Sequence, residues 1–545
     1  MNSNKLKELA ELLYPQVTET PEDLYKKYPP RRHVVTRIAP SPTGYLHIGT
    51  LGMCICDIAL AQSFGGKVLL RIEDTDQKRE VKNATLAYVK ILDRCGIKFD
   101  EGFDGEKNYG SYGPYIQSHR IHLYHVFAKR LVELGRAYPC FCDEEDLAKT
   151  REKQETLKQK TGYYGKYATC RSLSLEQVQE KLTKKMPWAL RADFSKYSEA
   201  ERITWHDLVR GNMSLPAEIN DPVIIKSNGI PPYNFAHVVD DTLMRVTHVL
   251  RGEEWLVSAA QHIQLFRALD LPHPNYLHMP VICVEEDGHK RKLSKRKDKE
   301  AVVENFLADG YPPEALIEYL MTLYNTDFEL WRIKNPNSPY QDFKFKAEKI
   351  GSNSPLFDWN KLNDISKNVI AKMSCGRINN EVKNFYAQAK ESGGAHANGA
   401  GKILDTKGNL DKLFAMLAID RETEKPRKDI IKYGDIWSLY NYIFNDANTA
   451  FKKPLSVGDY DPALVKKVLV AYEKIYNPGD TKDEWFTRIK KLCTSLGFAD
   501  NIKEYKQNPT VYHGHVGDIT QIIRLAFTGH EHTPDLYRIL QIMFA

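Results

Sequence analysis

Hydrophobic positions near the start of the chain change their spacing in a definite order. Residues 1–30 intersperse leucines with charged residues at helical spacing and end in Tyr28-Pro29-Pro30, which predicts a helical N-terminal appendage. The segments that follow have the patterns of a strand, a turn-rich loop, an apolar helix and a strand: His33–Ile38, 40–44, Thr50–Phe64 and Lys67–Ile72. Such a unit normally joins parallel strands by a right-handed crossover, with its ligand site at the carboxyl end of the first strand. The loop 39–49 is therefore the first place to look for chemistry.

The rest of the chain divides by pattern into an insertion, a second apolar stretch and a helical region. Residues 114–215 combine helical stretches with a cysteine-containing, hairpin-like segment, which is typical of an insertion. Residues 222–250 are apolar and strand-rich, and beyond residue 300 the spacing becomes that of amphipathic helices. Residues 391–401 are small and Gly-rich, which predicts a flexible loop or linker. We expect an α/β part followed by an all-helical C-terminal third.

Composition limits the class of protein. A chain of 545 residues predicts about three or four packed units, and a net charge of +6 permits a polyanionic partner without requiring one. No run of about 18 apolar residues occurs, and the N-terminal segment lacks the apolar centre of a secretory signal, so we expect a cytoplasmic protein without a membrane partner. Nine cysteines without a regular framework then indicate free thiols and at most one metal site rather than disulfides.

The loop at 40–49, PSPTGYLHIG, ends where a predicted helix begins. Backbone amides at a helix start can face a phosphate group. His47 could donate a hydrogen bond to charge that develops at phosphorus, and Gly49 would let a nucleotide approach the backbone. The alternative is a capping histidine in a surface loop.

A second candidate is the basic segment 289–297, HKRKLSKRK. Lys292 and Lys295 flank Leu293 and Ser294 and could form a mobile clamp on triphosphate oxygens. A solvated basic loop and attraction to nucleic acid are the alternatives. The chain has neither a G-x-x-x-x-G-K-[ST] segment nor a G-x-G-x-x-G after a strand, so these two candidates must bind any nucleotide.

PSPTGYLHIG followed by KLSKR resembles the two signature motifs of the class I aminoacyl-tRNA synthetases. Five blocks in the right order narrow the resemblance to bacterial-type glutamyl-tRNA synthetases: TRIAPSPTGYLHIGT, LLRIEDTDQKR, PPYNFAHVVDD, HVLRGEEWLVS and HMPVICVEEDGHKRKLSKRK. The resemblance implies an α/β fold, in which an α+β insertion splits a Rossmann-type parallel-sheet catalytic domain and a helical C-terminal region binds the anticodon. The implied domains are an N-terminal helical appendage at 1–32, the catalytic domain at 33–113 and 216–300, an acceptor-end-binding insertion with a candidate zinc site at 114–215, a stem-contact region at 301–375 and the anticodon-binding region at 376–545.

The resemblance also implies an activity, namely ATP-dependent ligation of L-glutamate to the 3′-terminal adenosine of tRNA(Glu). The reaction would use ATP and Mg²⁺, pass through a glutamyl-adenylate intermediate and release AMP and pyrophosphate. The resemblance also implies a monomer. The alternatives are a glutaminyl-tRNA synthetase, a non-discriminating enzyme that also charges tRNA(Gln), a catalytically silent RNA-binding paralogue and a short relative that modifies a tRNA base. The APSPTG block and the helical C-terminal third favour the glutamate branch, and the intact KLSKR argues against the last two.

By similarity, the glutamate pocket of the family falls on seven residues: Arg37, Ala39, Ser41, Glu73, Tyr233, Arg251 and Trp255. Each arginine can bind a carboxylate, with Arg37 expected on the substrate side chain, and Glu73 can bind the α-ammonium. The resemblance assigns ATP binding to His47, Gly49, Leu293, Ser294 and Lys295, and catalysis to His47, Gly49, Lys292 and Lys295. Without the family, Glu73 and Asp74 could be metal ligands and Arg251 an ordinary ion-pair partner. His237 departs from the family pattern, so its role stays open.

The insertion carries Cys140-Phe141-Cys142 and, after a loop, Cys170, an arrangement similar to that of zinc-binding relatives. Ser172 stands where one type of relative has a histidine ligand. Structural zinc normally takes four ligands, so Tyr167 or Tyr164 is expected to supply the fourth. Any such zinc would be structural, and three reduced, partly buried cysteines are the alternative.

Overall fold

The computed structural model describes residues 2–41, 44–76, 84–196, 202–444 and 460–544. The chain forms two units, Met1–Asn305 with Ile317–Asp358 and Phe306–Leu316 with Trp359–Ala545, which we call the first and the second unit. A search of the described helices finds none that combines the length and the apolar character needed to cross a membrane.

Strands occur only in the first unit within the described part of the chain. In chain order they are β1 (Val35–Ile38), β2 (Lys67–Leu70), β3 (Gly102–Phe103), β4 (Asn108–Tyr109), β5 (Ala137–Cys140), β6 (Ala189–Ala192), β7 (Arg202–Asp207), β8 (Gly211–Pro216), β9 (Val223–Ile225), β10 (His248–Gly252), β11 (Asn275–Met279), β12 (Cys283–Glu286) and β13 (His289–Lys292). The helices up to residue 268 are α1 (Ser3–Leu13), α2 (Pro21–Lys27), α3 (Ile48–Ser63), α4 (Ala84–Arg94), α5 (Ile121–Glu133), α6 (Glu144–Thr156), α7 (Leu175–Thr183), α8 (Tyr233–Leu243) and α9 (Leu256–Ala268). The later helices are α10 (Val303–Asp309), α11 (Pro313–Tyr324), α12 (Thr326–Lys334), α13 (Trp359–Ala371), α14 (Cys375–Ser392), α15 (Ala397–Leu404), α16 (Asn409–Ala418), α17 (Ile436–Tyr440), α18 (Pro462–Ile475), α19 (Lys482–Ser495), α20 (Ile502–Gln507), α21 (Val516–Thr528) and α22 (Leu536–Phe544).

The strands that build the site run in parallel. β1 pairs with β2, and β10 pairs with β11 in a four-stranded sheet of order β10-β11-β7-β8. The Val35 carbonyl accepts a hydrogen bond from the Thr247 N–H just before β10, and Arg37 Nη1 donates to the Leu250 carbonyl near the end of β10. β1 and β10 therefore run in the same direction, and their carboxyl ends open on one edge, where α/β sheets bind ligands. The predicted α/β class is confirmed, and β1, α3 and β2 form the predicted strand, helix, strand unit.

One helix lies where the apolar pattern indicated strands. Residues 222–250 contain β9 and β10, but α8 lies between them. Eight residues of α8 are buried, including the polar His237, Asp240 and Asp241. A helix covered on nearly every side shows no polar face, so hydrophobic spacing cannot distinguish it from a buried strand.

The N-terminal helices belong to the core of the first unit. Four of their side chains are buried in the same hydrophobic cluster as the sheet: Leu9, Ala10, Leu13 and Leu24. Lys129 on α5 is 7% exposed, donates to the Val17 carbonyl at 2.7 Å and pairs with Glu11 at 2.8 Å. Both of those partners come from the N-terminal segment, which therefore satisfies a buried charge as well as covering apolar surface.

The described residues of the second unit form helices and no strand, as predicted for the C-terminal third. The Gly-rich segment 391–401 is not the predicted loop, because α14 ends and α15 begins within it. Gly393 ends α14 at a φ of +65°, and a Cβ on Gly399 would lie 2.9 Å from Cγ of Trp437. The small residues therefore serve a left-handed turn and a close packing contact rather than flexibility.

Candidate active site

A cavity of about 580 Å³ opens at the carboxyl ends of β1 and β10. It is lined by His47, by Lys295 and by all seven residues predicted for the glutamate pocket. Those seven are Arg37, Ala39, Ser41, Glu73, Tyr233, Arg251 and Trp255. The other predicted site residues, Gly49, Lys292, Leu293 and Ser294, lie nearby without lining it. Pro42 and Thr43 of the first motif and residues 77–79 of the second block lie outside the described residues.

Two buried arginines contribute positive charge to the wall of the cavity. Arg37 and Arg251 are 4% and 5% exposed. Arg37 Nη1 donates to the Leu250 carbonyl at 3.2 Å, and Arg251 donates through Nε and Nη1 to two histidines. Arg37 Nε and Arg251 Nη2 are buried and meet no hydrogen-bond acceptor among the described residues. Buried guanidinium N–H groups without acceptors are costly, so both arginines are suited to receive an anion.

A third arginine, Arg71, holds Glu73 of the cavity wall and the buried Asp241. Arg71 is fully buried, and it donates to Glu73 at 2.9 Å through Nη2 and to Asp241 at 2.6 Å through Nη1. Burial raises the pKa of Glu73 despite this contact. Burial would also raise the pKa of Asp241, but His237, Arg71 and Arg37 outweigh it and lower that pKa well below its ordinary value. A cation beside Glu73 would favour its ionised form.

Aromatic rings form one wall of the cavity. The ring centroids of Tyr233 and Trp255 lie 4.6 Å apart, and Tyr233 stacks on His237 at 5.6 Å. His237 lies behind Tyr233, is fully buried, and has Nδ1 at 3.0 Å from Asp241 Oδ2. Burial lowers the pKa of His237 to about 4, so the ring is neutral near pH 7. His237 therefore supports the wall and the buried acid without lining the cavity.

His47 is the N-cap of α3. Its Nδ1 accepts a hydrogen bond from the Gly49 N–H at 2.9 Å, and its Nε2 lies 3.2 Å from the Leu293 carbonyl, to which the N–H donates. Burial lowers the pKa of His47, in keeping with a neutral ring. A Cβ on Gly49 would lie 3.1 Å from His47 Nδ1. The glycine thus makes room for the histidine ring, and its part in letting a nucleotide approach the backbone stays a prediction.

The two signature motifs touch each other in the structure. Besides the contact between His47 and Leu293, the Lys295 ammonium donates to the Tyr45 carbonyl at 2.6 Å. Burial lowers the pKa of Lys295. Lys292 lies instead at the end of β13, half-exposed, 3.3 Å from Glu254. Of the two lysines predicted to form a clamp, Lys295 alone lines the cavity.

Asp57 and Lys226 also line the cavity and were not predicted. Asp57 lies in α3, is 2% exposed, and has a pKa raised well above its usual range by burial. Its signal in the sequence was a single acid inside an otherwise apolar helix. Lys226 donates to the Thr75 carbonyl at 3.3 Å. It follows β9, and nothing in its local pattern distinguished it from a surface lysine.

A separate cluster of three thiols lies between residues 140 and 170. The Sγ atoms of Cys140, Cys142 and Cys170 all lie within 4.8 Å of one another. The Tyr163 hydroxyl lies 3.3 Å from Cys142 Sγ and accepts a hydrogen bond from the Cys170 N–H at 3.1 Å. Together these four side chains offer three sulfur atoms and one phenolic oxygen at one point.

The tyrosines predicted as the fourth ligand point elsewhere. Tyr167 donates from its hydroxyl to Gln159 at 2.6 Å, and Tyr164 donates to the Lys160 carbonyl at 2.6 Å. Of the three tyrosines at 163, 164 and 167, Tyr163 is the one whose hydroxyl contacts the cysteines.

Comparisons with known proteins agree on one family. The model for "tRNA synthetases class I (E and Q), catalytic domain" matches residues 33–363. A glutamate–tRNA ligase of Acetivibrio thermocellus is 42% identical, covering 98% of this chain and 97% of its own length. A glutamate–tRNA ligase of Clostridium perfringens is 41% identical with the same coverage. A crystal structure of a glutamate tRNA ligase from Elizabethkingia meningosepticum in complex with its amino acid has a TM-score of 0.72 and 23% identity, covering 94% of this chain and 97% of that one, which shows the shared fold.

Proposed function

The chain belongs to the class I tRNA synthetases for glutamate and glutamine, and on that basis we propose that it uses ATP to ligate L-glutamate to the 3′-terminal adenosine of tRNA(Glu). The observation that carries the proposal is the pair of buried arginines, Arg37 and Arg251, which line one cavity and each keep an N–H group without an acceptor among the described residues. Two such groups suit a substrate with two carboxylates. The relatives named glutamate–tRNA ligase, aligned over nearly the whole chain, support the same substrate.

Glutamate would be held by charge at three points. Arg37 takes the side-chain carboxylate, Arg251 takes the other carboxylate, and Glu73 takes the α-ammonium. Tyr233 and Trp255 cover the apolar part of the substrate, and Ala39 and Ser41 border it at the end of β1. Glutamine would leave a buried guanidinium without its anion, which is the physical basis of discrimination.

ATP would occupy the part of the cavity bordered by His47 and Lys295. A glutamate carboxylate oxygen attacks the α-phosphorus, the bond to the β-phosphate oxygen breaks, and pyrophosphate leaves. Lys295 balances the negative charge that gathers on the phosphates, and His47 supplies an N–H donor once it leaves the Leu293 carbonyl. Gly49, Leu293 and Ser294 are assigned to ATP binding with them, and the Leu293 carbonyl also joins the two motifs through His47. Mg²⁺, which the family uses with ATP, would neutralise phosphate charge.

The second step transfers glutamate to RNA. The 2′ or 3′ hydroxyl of the terminal adenosine attacks the carbonyl carbon of the glutamyl-adenylate and AMP leaves, so no covalent enzyme intermediate is needed. Catalysis here depends on positioning and charge stabilisation. We assign residues 114–215 to the acceptor end, 301–375 to the stem and 376–545 to the anticodon.

A surface of the second unit supports the anticodon assignment. A cavity of about 610 Å³ in that unit is lined by aromatic and basic side chains, among them Trp485, Phe486, Arg524 and His530. Single-stranded bases are bound by stacking and by hydrogen bonds to their edges, which this combination provides. Protein synthesis would place the activity in the cytoplasm.

The thiol cluster fits a structural zinc ion. Cys140, Cys142 and Cys170 supply three sulfur ligands, and we assign the fourth position to Tyr163. A structural zinc ion takes four ligands, and here it would join β5 to the 163–170 segment. No catalytic step is assigned to it.

The experiment that tests the function is aminoacylation of bulk tRNA by the purified protein with ATP and Mg²⁺, comparing labelled glutamate with labelled glutamine. We expect glutamate to be attached and the Lys295→Ala variant to be nearly inactive. Charging with glutamine alone would assign the chain to the glutaminyl branch, and no charging would support a silent RNA-binding paralogue. Purified tRNA(Gln) then shows whether the enzyme is discriminating.

A further inference from the structure

Arg251 is held by two histidines rather than by an acid. Its Nε–H donates to His278 Nε2 at 3.0 Å, and its Nη1 lies 3.0 Å from His262 Nδ1. A guanidinium can only donate, so both imidazoles must accept and both must be neutral. The remaining nitrogen, Nη2, has no acceptor in the described part of the chain and belongs to a side chain that lines the cavity.

The tautomer of His278 is set by Asp207. With Nε2 accepting from Arg251, the ring proton must be on Nδ1, which donates to Asp207 Oδ2 at 2.5 Å. The other oxygen of Asp207 is occupied as well, because Oδ1 accepts from the backbone N–H groups of Val209 and Arg210 at 3.0 and 2.9 Å. The carboxylate therefore cannot rotate, and its orientation is transmitted through the imidazole to the arginine.

The second histidine is fixed in a similar way. His262 accepts from Arg251 through Nδ1, so its proton is on Nε2, which donates to Asn234 Oδ1 at 2.9 Å. Asn234 in turn donates to Gln261 at 2.8 Å. Asp207, His262 and His278 are all fully buried. Water is therefore not available to replace any of these bonds.

Burial and hydrogen bonding keep the charge on the acid and off the rings. Burial lowers the pKa of both His262 and His278. Burial also acts to raise the pKa of Asp207, but the hydrogen bond from His278 outweighs it and the pKa is lowered. A carboxylate in direct contact with Arg251 would neutralise the guanidinium, whereas an interposed neutral imidazole orients it and leaves its charge for a substrate.

We propose that Asp207 and His278 are positioning residues that set the affinity for the amino-acid substrate. Asp207 fixes the tautomer of His278, and the neutral ring of His278 then accepts a hydrogen bond from Arg251 and orients it. The inference rests on the proposed function, since it assigns Arg251 to a substrate carboxylate. Asp207 ends β7, His278 lies on β11 and Arg251 on β10, so one polar line crosses three neighbouring strands of the sheet.

Asp207→Asn tests the tautomer. The Val209 and Arg210 N–H groups require an oxygen at the Oδ1 position, so the amide NH₂ of the variant must face His278. Nδ1 of His278 must then accept from that amide, so the ring proton moves to Nε2. The Nε2 N–H and the Arg251 N–H would then face each other as two donors without an acceptor. We expect the KM for glutamate to rise about tenfold to hundredfold, as for the loss of a hydrogen bond to a charged group, with the KM for ATP unchanged.

His278→Gln should rescue the Asp207→Asn variant. A glutamine places a carbonyl oxygen near the Nε2 position, and that oxygen accepts from Arg251 without any dependence on a tautomer. We expect the double variant Asp207→Asn with His278→Gln to have a KM for glutamate within about threefold of wild type. His278→Asn keeps a donor for Asp207, loses the acceptor for Arg251, and should behave like Asp207→Asn.

The control is His206→Asn, because His206 neighbours Asp207 on β7 but is exposed and bonds to Asn212. Additive losses in the double variant, or an Asp207→Asn defect shared equally by glutamate, ATP and thermal stability, would overturn the proposal. If Asp207→Asn does not fold, equal KM values for His278→Asn and His278→Gln overturn it instead. Wild-type protein that charges no glutamate rejects the proposed function itself, which is a distinct result.

Discussion

Replacing Arg37 with glutamine should remove most of the preference for glutamate over glutamine. Arg37 is 4% exposed, its Nη1 is taken by the Leu250 carbonyl, and its Nε meets no acceptor in the described chain. In the proposed complex the substrate carboxylate supplies the hydrogen-bonding anion that Arg37 lacks among the described residues. Asp241, at 3.7 Å from Nε, is already bonded to Arg71 at 2.6 Å and would stay paired in the variant.

The size of the effect follows from the burial of that pair. Removing one partner of a buried ion pair costs about 3–5 kcal/mol, whereas losing a neutral hydrogen bond to glutamine costs about 1 kcal/mol. The difference, about 2–4 kcal/mol, corresponds to a roughly 30-fold to 900-fold fall in the ratio of kcat/KM for glutamate to that for glutamine. The ratio is measured by tRNA charging with each amino acid.

Arg31→Gln is the matched control for this substitution. The Arg31 side chain is also 4% exposed and forms two 2.8 Å hydrogen bonds to Glu101, away from the cavity. That variant should lose stability and keep the wild-type ratio. A folded Arg37→Gln protein whose ratio stays within about threefold of wild type would refute the assignment of Arg37 to the substrate side chain.

Three further predictions concern Lys295, Tyr163 and His237. Lys295→Ala should lower kcat in tRNA-dependent pyrophosphate exchange about a hundredfold. Lys292→Ala loses only an exposed contact to Glu254 and should change kcat less than about tenfold. Equal losses would support the clamp of two lysines that the sequence predicted. Tyr163→Phe should speed the release of zinc to a chelator, followed by mass spectrometry of the metal, whereas Tyr167→Phe should match wild type, and the reverse order would contradict the ligand assignment. Burial lowers the pKa of His237 from 6.5 to about 4, so the unfolded chain binds a proton on this ring more tightly than the folded chain does. The contribution of the neutral ring to the free energy of unfolding is therefore complete above pH 6.5 and is lost as the pH falls toward 4. Between pH 7 and pH 5 this amounts to about 2 kcal/mol, so His237→Asn should lose less stability over that interval than wild type, and equal losses in denaturant unfolding would refute the argument.

The sequence predicted what depends on local spacing and on motifs. The β1, α3, β2 unit and the helical C-terminal third follow from hydrophobic periods. The seven residues proposed for the glutamate pocket come from blocks that keep their order along the chain, and they line one cavity. α8 was mistaken for strand because its residues are buried on nearly every side. The Gly-rich segment was mistaken for a loop because the contact of Gly399 with Trp437 joins residues that are distant in sequence.

The direction in which a side chain points, and contacts between distant strands, could not be predicted from the sequence. Lys292 and Lys295 are equivalent in the motif, and only the course of the chain after β13 turns Lys295 inward. Three tyrosines precede Cys170, and their spacing does not tell which ring reaches the thiols. The line from Asp207 to Arg251 joins three strands, so no local pattern could have shown it.

The buried N-terminal helices separate two kinds of boundary that are often equated. The family model begins at residue 33, after α1 and α2 have ended. A shortened chain that started there would keep every residue assigned to catalysis, yet it would strip the partners from Lys129 and open the apolar surface that Leu9, Leu13 and Leu24 cover. The start of the matched catalytic-domain model thus lies inside a packed unit. A truncation for expression should follow the packing and not the bounds of that model.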